Sequence, residues 1–139
     1  MSERQREAEV NTKIRAVSVQ KIDEKATHNT PVVFNFGVNM EEAERKNDSV
    51  MLGFHMTMGT EPSIVKFVIE GTASVLGDSA QIEQALAADP QTNVPEVFTR
   101  IYQEVYSVVF MLAGTIDVPY PSPALLKKPH VQVAYPTQA

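Results

Sequence analysis

"VVFNFGVNMEEAERKNDSVMLGFHMTMGT", residues 32–60, is the stretch of the chain that decides the fold. Apolar side chains recur at every second position on both sides of a polar break, as in strands that bury one face. The break contains Asn47, Asp48 and Ser49, which favour a turn. The stretch therefore predicts two consecutive antiparallel strands. Their apolar sides carry Phe34, Phe36, Val38 and Met40 in the first strand and Val50, Leu52, Phe54, Met56 and Met58 in the second.

Two further segments predict strands on either side of this pair. "KIRAVSVQKIDEK" (residues 13–25) is rich in β-branched residues, and "SIVKFVIEGTASVLG" (residues 63–77) alternates again. Short connections between neighbouring strands predict an antiparallel β-meander.

The period changes after the fourth strand and predicts two helices. Asp78 and Gln81 have the spacing of a capping box ahead of a short helix over residues 79–89. A longer helix begins with Pro95 in its first turn, where the missing N–H is harmless, and ends with Gly114 at its C-cap.

These elements predict an α+β fold, a four-stranded antiparallel β-meander with C-terminal helices packed on one face. The length of 139 residues suits a single domain. We expect its ends, residues 1–11 and 127–139, to be loose tails.

Composition excludes several classes of protein. The chain has 12 Lys and Arg against 17 Asp and Glu, a net charge of -5, and no cysteine. The acidic balance argues against nucleic-acid binding, and the lack of cysteine excludes disulfides, thiolate metal sites and cysteine nucleophiles. The N-terminus has no signal-peptide core, and no run approaches the roughly 20 apolar residues of a membrane span. We therefore expect a soluble cytoplasmic protein without nucleic-acid partner, membrane insertion or cofactor.

Candidate catalytic residues are few and scattered. The three histidines lie far apart without metal-ligand neighbours at helical spacing: His28, His55 and His130. Glu41, Glu42 and Glu44 could supply paired carboxylates, but their place beside a turn favours a solvated cluster. No G-x-S-x-G elbow or glycine-rich phosphate loop occurs. We predict that the chain is not an enzyme and holds no metal.

Apolar surface is the stronger feature of the chain. The long helix is apolar on most sides and must be covered on more than one, which favours contact with a second subunit. "IDVPYPSPALL" (residues 116–126) cannot be helical because of its three prolines, yet it keeps apolar residues. Methionines in the strands and helix suit a surface that accepts varied partners.

In the order of these elements the chain resembles the SecB family of export chaperones. The likeness covers about residues 13–126 and rests on "VVFNFGVNMEEAERKNDSVMLGFHMTM", "KFVIEGTASVLG" and "VPEVFTRIYQEVYSVVFMLAGTIDVPYPSPALL". The resemblance implies a homotetramer, a dimer of dimers, that binds unfolded polypeptides in apolar grooves without ATP. It also implies that the loop over residues 116–126 covers part of such a groove. Alternatively, the loop folds back over the core of its own subunit.

The C-terminal end departs from the family pattern. The family continues into a second helix after the loop, whereas Pro129 leaves no room for one here. The tail "PHVQVAYPTQA" does not resemble the polar, partner-contacting end of the family, so a SecA-type motor is an uncertain partner.

The leading hypothesis is therefore an ATP-independent chaperone-like protein for unfolded polypeptides, with protein export as one setting. The alternatives are a small-ligand protein with His55 or the glutamate cluster in a cleft, and a structural oligomer whose apolar surfaces are consumed by its own interfaces. The residues expected to bind peptide are Phe34, Phe36, Met51, Met56, Met58, Ile116, Val118, Tyr120 and Leu125. The residues expected at a dimer or tetramer interface are Ile101, Tyr102, Val105, Val108, Val109 and Leu112.

Overall fold

One β-sheet forms the frame of the molecule in the computed structural model, which describes residues 7–127 and 133–134. Its four long antiparallel strands are β1 (Glu9–Lys21), β2 (Val33–Lys46), β3 (Ser49–Glu61) and β4 (Val65–Leu76). A short strand, β5 (Val133–Ala134), pairs with β2 in parallel orientation. The four long strands and their antiparallel pairing agree with the sequence prediction.

The strands lie in the order β1-β4-β3-β2-β5, so only β2, β3 and β4 form the predicted meander. β1 lies beside β4 rather than beside β2. The connection over residues 22–32 can easily cross the roughly 14 Å of three strand spacings. Two residues hold this connection against the rest of the fold. The Ile22 N–H donates to the carbonyl of Ile64 at 2.8 Å, and Ala26 is buried in the core. An alternating pattern predicts a strand but not its neighbour, which is why the order was wrong for β1.

The boundaries of the fold also differ from those predicted. β1 begins at Glu9, and both Ala8 and Val10 belong to the core, so the fold starts inside the predicted N-terminal tail. β5 lies inside the predicted C-terminal tail. Residues 128–132 and 135–139, with Pro129 and His130 among them, lie outside the described residues.

Two helices follow the sheet, α1 (Ser79–Leu86) and α2 (Glu96–Ile116), which confirms the α+β fold class. The capping box of α1 is formed as predicted: Asp78 Oδ1 accepts from the Gln81 N–H and Gln81 Oε1 accepts from the Asp78 N–H, each at 2.8 Å. α2 continues past the predicted end and stops at Asp117, which adopts the left-handed conformation. Among the described residues, no helix combines the length and apolar character needed to cross a membrane.

The core lies between α2 and one face of the sheet. Alternate residues of β3 and β4 on this face are buried, and those between them are only half-buried. α2 contributes a stripe at helical spacing that is fully buried: Val97, Ile101, Val105, Val109 and Ala113. No element among residues 7–127 and 133–134 covers the opposite face, which we call the outer face. Helices and sheet thus form two layers, with the outer face of the sheet open.

Candidate functional site

A row of aromatic rings runs along α2 from the core to the surface. Tyr102, Tyr106 and Phe110 lie four residues apart and therefore share one side of the helix. The centroid distances are 5.7 Å between Tyr102 and Tyr106 and 6.3 Å between Tyr106 and Phe110. Phe36 of β2 meets the inner end of the row edge-on, and Tyr120 meets its outer end, 4.7 Å from Phe110. The row thus connects the sheet with the proline-rich loop after α2.

The same tyrosines hold that loop in place. The Tyr102 hydroxyl donates to the carbonyl of Ser122 at 2.6 Å, and the Tyr106 hydroxyl donates to the carbonyl of Pro121 at 2.8 Å. Burial raises the pKa of both tyrosines, so the hydroxyls remain protonated donors at neutral pH. Two donors one helical turn apart therefore bind two successive carbonyls of the loop.

The loop covers the core of its own subunit. Its own Val118, Leu125 and Leu126 are buried and belong to that core. The apolar residues of the proline-rich stretch are therefore explained by packing, and of the two alternatives left by the sequence, the structure has the loop folded back. As a correction, Val118 and Leu125 are not accessible to a peptide in this arrangement.

Three large side chains at the junction of α2 and the loop remain exposed, and we call them the apolar patch: Phe110 (49%), Met111 (65%) and Tyr120 (46%). Met111 follows Phe110 in α2, and Phe110 contacts Tyr120. No charged residue occurs between Glu104 and Asp117. Phe110 and Met111 belong to this charge-free segment, and contiguous exposed apolar side chains mark interaction surfaces. The apolar patch is the candidate functional site.

Most residues predicted to bind peptide lie elsewhere. Phe36, Met56 and Met58 are buried in the core between the sheet and the helices, because the apolar side of each strand is covered by α2 or the loop. For these three the prediction was wrong. The others are at least partly accessible: Phe34 and Ile116 are half-buried against the core, Met51 is half-buried on the outer face, and Tyr120 belongs to the apolar patch.

The predicted oligomer interface needs a similar correction. Ile101, Tyr102, Val105 and Val109 are fully buried within one chain, and Val108 and Leu112 are half-buried. Apolar periodicity shows that a side chain is covered but not whether its own sheet or another subunit covers it. Sequence reasoning missed Phe110 and Met111 as site residues. The charge-free segment to which they belong is the signal that could have found them.

His28 lies apart from the glutamate cluster of β2. His28 joins the β1–β2 connection to the end of α2, since its N–H and its Nδ1 contact Asp117 Oδ1 at 3.0 and 2.7 Å. The hydrogen bonds from His28 lower the pKa of Asp117. Glu42 and Glu44 pair with neighbouring basic side chains of β2. Within the described residues, no group of three or more His, Asp or Glu is placed to hold a metal ion.

The comparison with known proteins found little at the level of sequence. No protein-family model matches the chain, and no curated protein matches it. Among solved structures, a SecB-like chaperone of Mycobacterium tuberculosis, in complex with a ChAD peptide from an antitoxin, is similar to it. The TM-score is 0.46 at 12% sequence identity, and the match covers 83% of this chain and 86% of that chain.

Proposed function

We propose that the protein binds non-native polypeptides at the apolar patch and keeps them from aggregating without ATP. The observation that carries the proposal is the exposure of Phe110 and Met111 on a segment free of charge, with the exposed Tyr120 in contact with Phe110. A thioether and two aromatic rings adapt to many apolar side chains, because methionine is flexible and aromatic rings offer large faces. Such a surface suits a class of clients better than one fixed ligand.

The apolar patch is pre-organised for binding. Tyr120 is positioned by its ring contact with Phe110, and the loop that carries it is held by the hydroxyls of Tyr102 and Tyr106. Little side-chain and loop entropy is therefore lost when a segment binds. The net charge of -5 further favours apolar segments flanked by Lys or Arg, since opposite charge raises the rate of encounter.

A homo-oligomer, dimer or tetramer, is part of the proposal but involves another surface. β1 is an edge strand with β4 on one side, and among the described residues no strand lies on its other side. Ile14 and Val17 on this strand are exposed large apolar residues. A long edge strand with exposed apolar residues favours association through its free edge. We therefore expect subunits to meet along β1 rather than through the buried stripe of α2.

Aggregation of a denatured protein diluted into buffer without ATP tests the client-binding proposal. We expect an equimolar amount of the wild-type protein to suppress light scattering. The double variant Phe110→Ser, Met111→Ser removes two exposed apolar side chains and should weaken apparent client affinity by roughly tenfold. Val33→Ser is the matched control, because Val33 is 67% exposed and belongs to the edge of the sheet instead of the patch.

Two results would overturn the proposal. One is scattering that the wild-type protein leaves unchanged, and the other is equal suppression by the double variant and the wild type. The mass of each protein, measured by size-exclusion chromatography with light scattering, separates client binding from self-association. If the double variant loses subunits instead of client affinity, the patch is a subunit interface. Val17→Lys should instead lower the mass and leave the patch intact.

A further inference from the structure

A depression of about 730 Å³ lies on the outer face of the sheet, away from α2 and the apolar patch. Residues from all four long strands line it. The polar side chains among them are Arg15, Asn39, Glu41, His55, Glu70 and Thr72. Polar groups from four strands that converge on one concave surface are characteristic of a ligand site.

The register of the strands explains this convergence. Cross-strand partners form two adjacent rows, Asn39–His55–Glu70 and Glu41–Gly53–Thr72. Side chains of partners in one row point to the same side of the sheet. His55 and Glu41, separate candidates in the sequence, therefore lie at the same depression.

Arg15 reaches the depression through an irregularity of β1. The register between β1 and β4 shifts at Arg15, the extra residue of a β-bulge. Gly71 of β4 makes the close approach of the two strands possible, since a Cβ there would collide with the carbonyl of Lys13. The bulge brings Arg15 to the outer face, where its Nη2 donates to Glu70 Oε1 at 2.6 Å. Bulges commonly re-aim side chains beside functional sites.

Glu70 fixes two donors at one end of the depression. Its Oε1 accepts from Arg15, and its Oε2 lies 2.7 Å from His55 Nδ1. Because Nδ1 is directed at the carboxylate, Nε2 is the ring nitrogen left for a ligand. The guanidinium, together with Nε2 of His55 when both ring nitrogens carry a proton, makes a donor pole that suits a carboxylate.

The other end of the depression is anionic. Glu41 belongs to β2, two strands from Glu70, which corresponds to about 10 Å between the strands. Gly53 lies between the poles, and a Cβ there would meet nothing nearer than the Glu41 carbonyl at 4.0 Å. The floor between a donor pole and an anionic pole is therefore open.

We propose that the depression binds a small zwitterion, an amino acid or a dipeptide. Its carboxylate would accept from Arg15 and from Nε2 of the doubly protonated His55 ring, and its ammonium group would donate to Glu41. A residue of an extended peptide adds about 3.5 Å, so the span between the poles admits one or two residues. This site is independent of client binding at the apolar patch.

Titration of the full-length ¹⁵N-labelled protein with glycylglycine tests the proposal by NMR. We expect saturable shifts of the Gly53, His55 and Thr72 amide signals, with a Kd on the order of 1 mM. N-acetylglycine lacks the ammonium group and glycinamide lacks the carboxylate. Each should bind about tenfold more weakly, because one charge-assisted contact is lost.

Variants of two glycines on the same side of β3 provide the matched pair. Gly53→Val fills the floor and should abolish the shifts, whereas Gly59→Val adds the same side chain outside the depression and should retain them. Neither Cβ has a close neighbour in the structure, and valine suits a strand. Glu41→Gln should remove the preference for glycylglycine over N-acetylglycine, which tests the anionic pole even if Gly53→Val fails to fold. The proposal is overturned if no saturable shifts occur, if folded Gly53→Val binds like the wild type, or if the two ligands bind wild type equally well.

Discussion

The attachment of the proline-rich loop makes a quantitative prediction about two neighbouring tyrosines. Tyr102→Phe and Tyr106→Phe each remove one hydroxyl that donates to a loop carbonyl. Tyr102 is 1% exposed, so water reaches the position of the removed hydroxyl poorly. We expect a loss of about 2 kcal/mol in the free energy of unfolding. Tyr106 is only half-buried, so water can replace its hydroxyl, and we expect about 0.5 to 1 kcal/mol.

Urea denaturation followed by far-UV circular dichroism measures both changes. With a slope of about 2 kcal/mol per molar urea, Tyr102→Phe should lower the midpoint by about 1 M and Tyr106→Phe by about a quarter to a half of that. Amide hydrogen exchange should show faster local opening at Val118 and Leu125, since these buried loop residues have hydrogen-bonded amides.

The order of the two effects is the decisive result. If Tyr106→Phe costs as much as Tyr102→Phe, burial does not set the strength of these bonds. If neither variant speeds exchange at Val118, the hydroxyls do not hold the loop, and the apolar patch is not pre-organised by them.

Two further predictions concern the bulge and the end of α2. Gly71→Ala should lower the free energy of unfolding, measured by urea denaturation, by more than about 2 kcal/mol, because its Cβ would collide with the Lys13 carbonyl. Gly53→Ala is the control and should cost under about 1 kcal/mol, since its Cβ has open space around it. Similar losses for both variants would show that β1 can shift to accommodate the Cβ. His28 lowers the pKa of Asp117, so the stability from this pair is present above the ordinary aspartate pKa of about 3.9 and disappears as pH falls through the lowered value. His28→Ala should raise the pKa of Asp117 in an NMR titration. The difference in free energy of unfolding between this variant and the wild type should disappear on acidification. An unchanged pKa of Asp117 would contradict the hydrogen bonds between His28 and Asp117.

The sequence predicts the local parts of this fold well, because their causes are local. Period-two alternation indicates β2, β3 and β4, and the pair Asp78 and Gln81 indicates the start of α1. The place of β1 depends on contacts with a distant strand, which no local pattern carries. The hydrogen bonds from the tyrosines to the carbonyls of Pro121 and Ser122 could not be predicted either. Every residue has a backbone carbonyl, and the sequence does not show which ones accept.

The candidate sites were predictable to a smaller extent. Tyr120 was found because an apolar residue among prolines is unusual, but Phe110 and Met111 were hidden in a helix that is apolar on most sides. His55 and Glu41 were seen as separate candidates. Pairing around the turn alone does not place Glu41 opposite Gly53, beside His55, because the register of β2 and β3 shifts between Glu42 and Glu44. Arg15 could not have been foreseen, since its direction depends on the bulge.

The position of β1 has a consequence for how the chain is made. Lys21 pairs with Val65 and Glu9 with Leu76, so the first strand to leave the ribosome has its partner far downstream. Until β4 has emerged, β1 has nothing to pair with, and the closure of these long loops slows folding. During synthesis the chain therefore presents its own unpaired strand, with exposed Ile14 and Val17, to whatever binds nascent polypeptides.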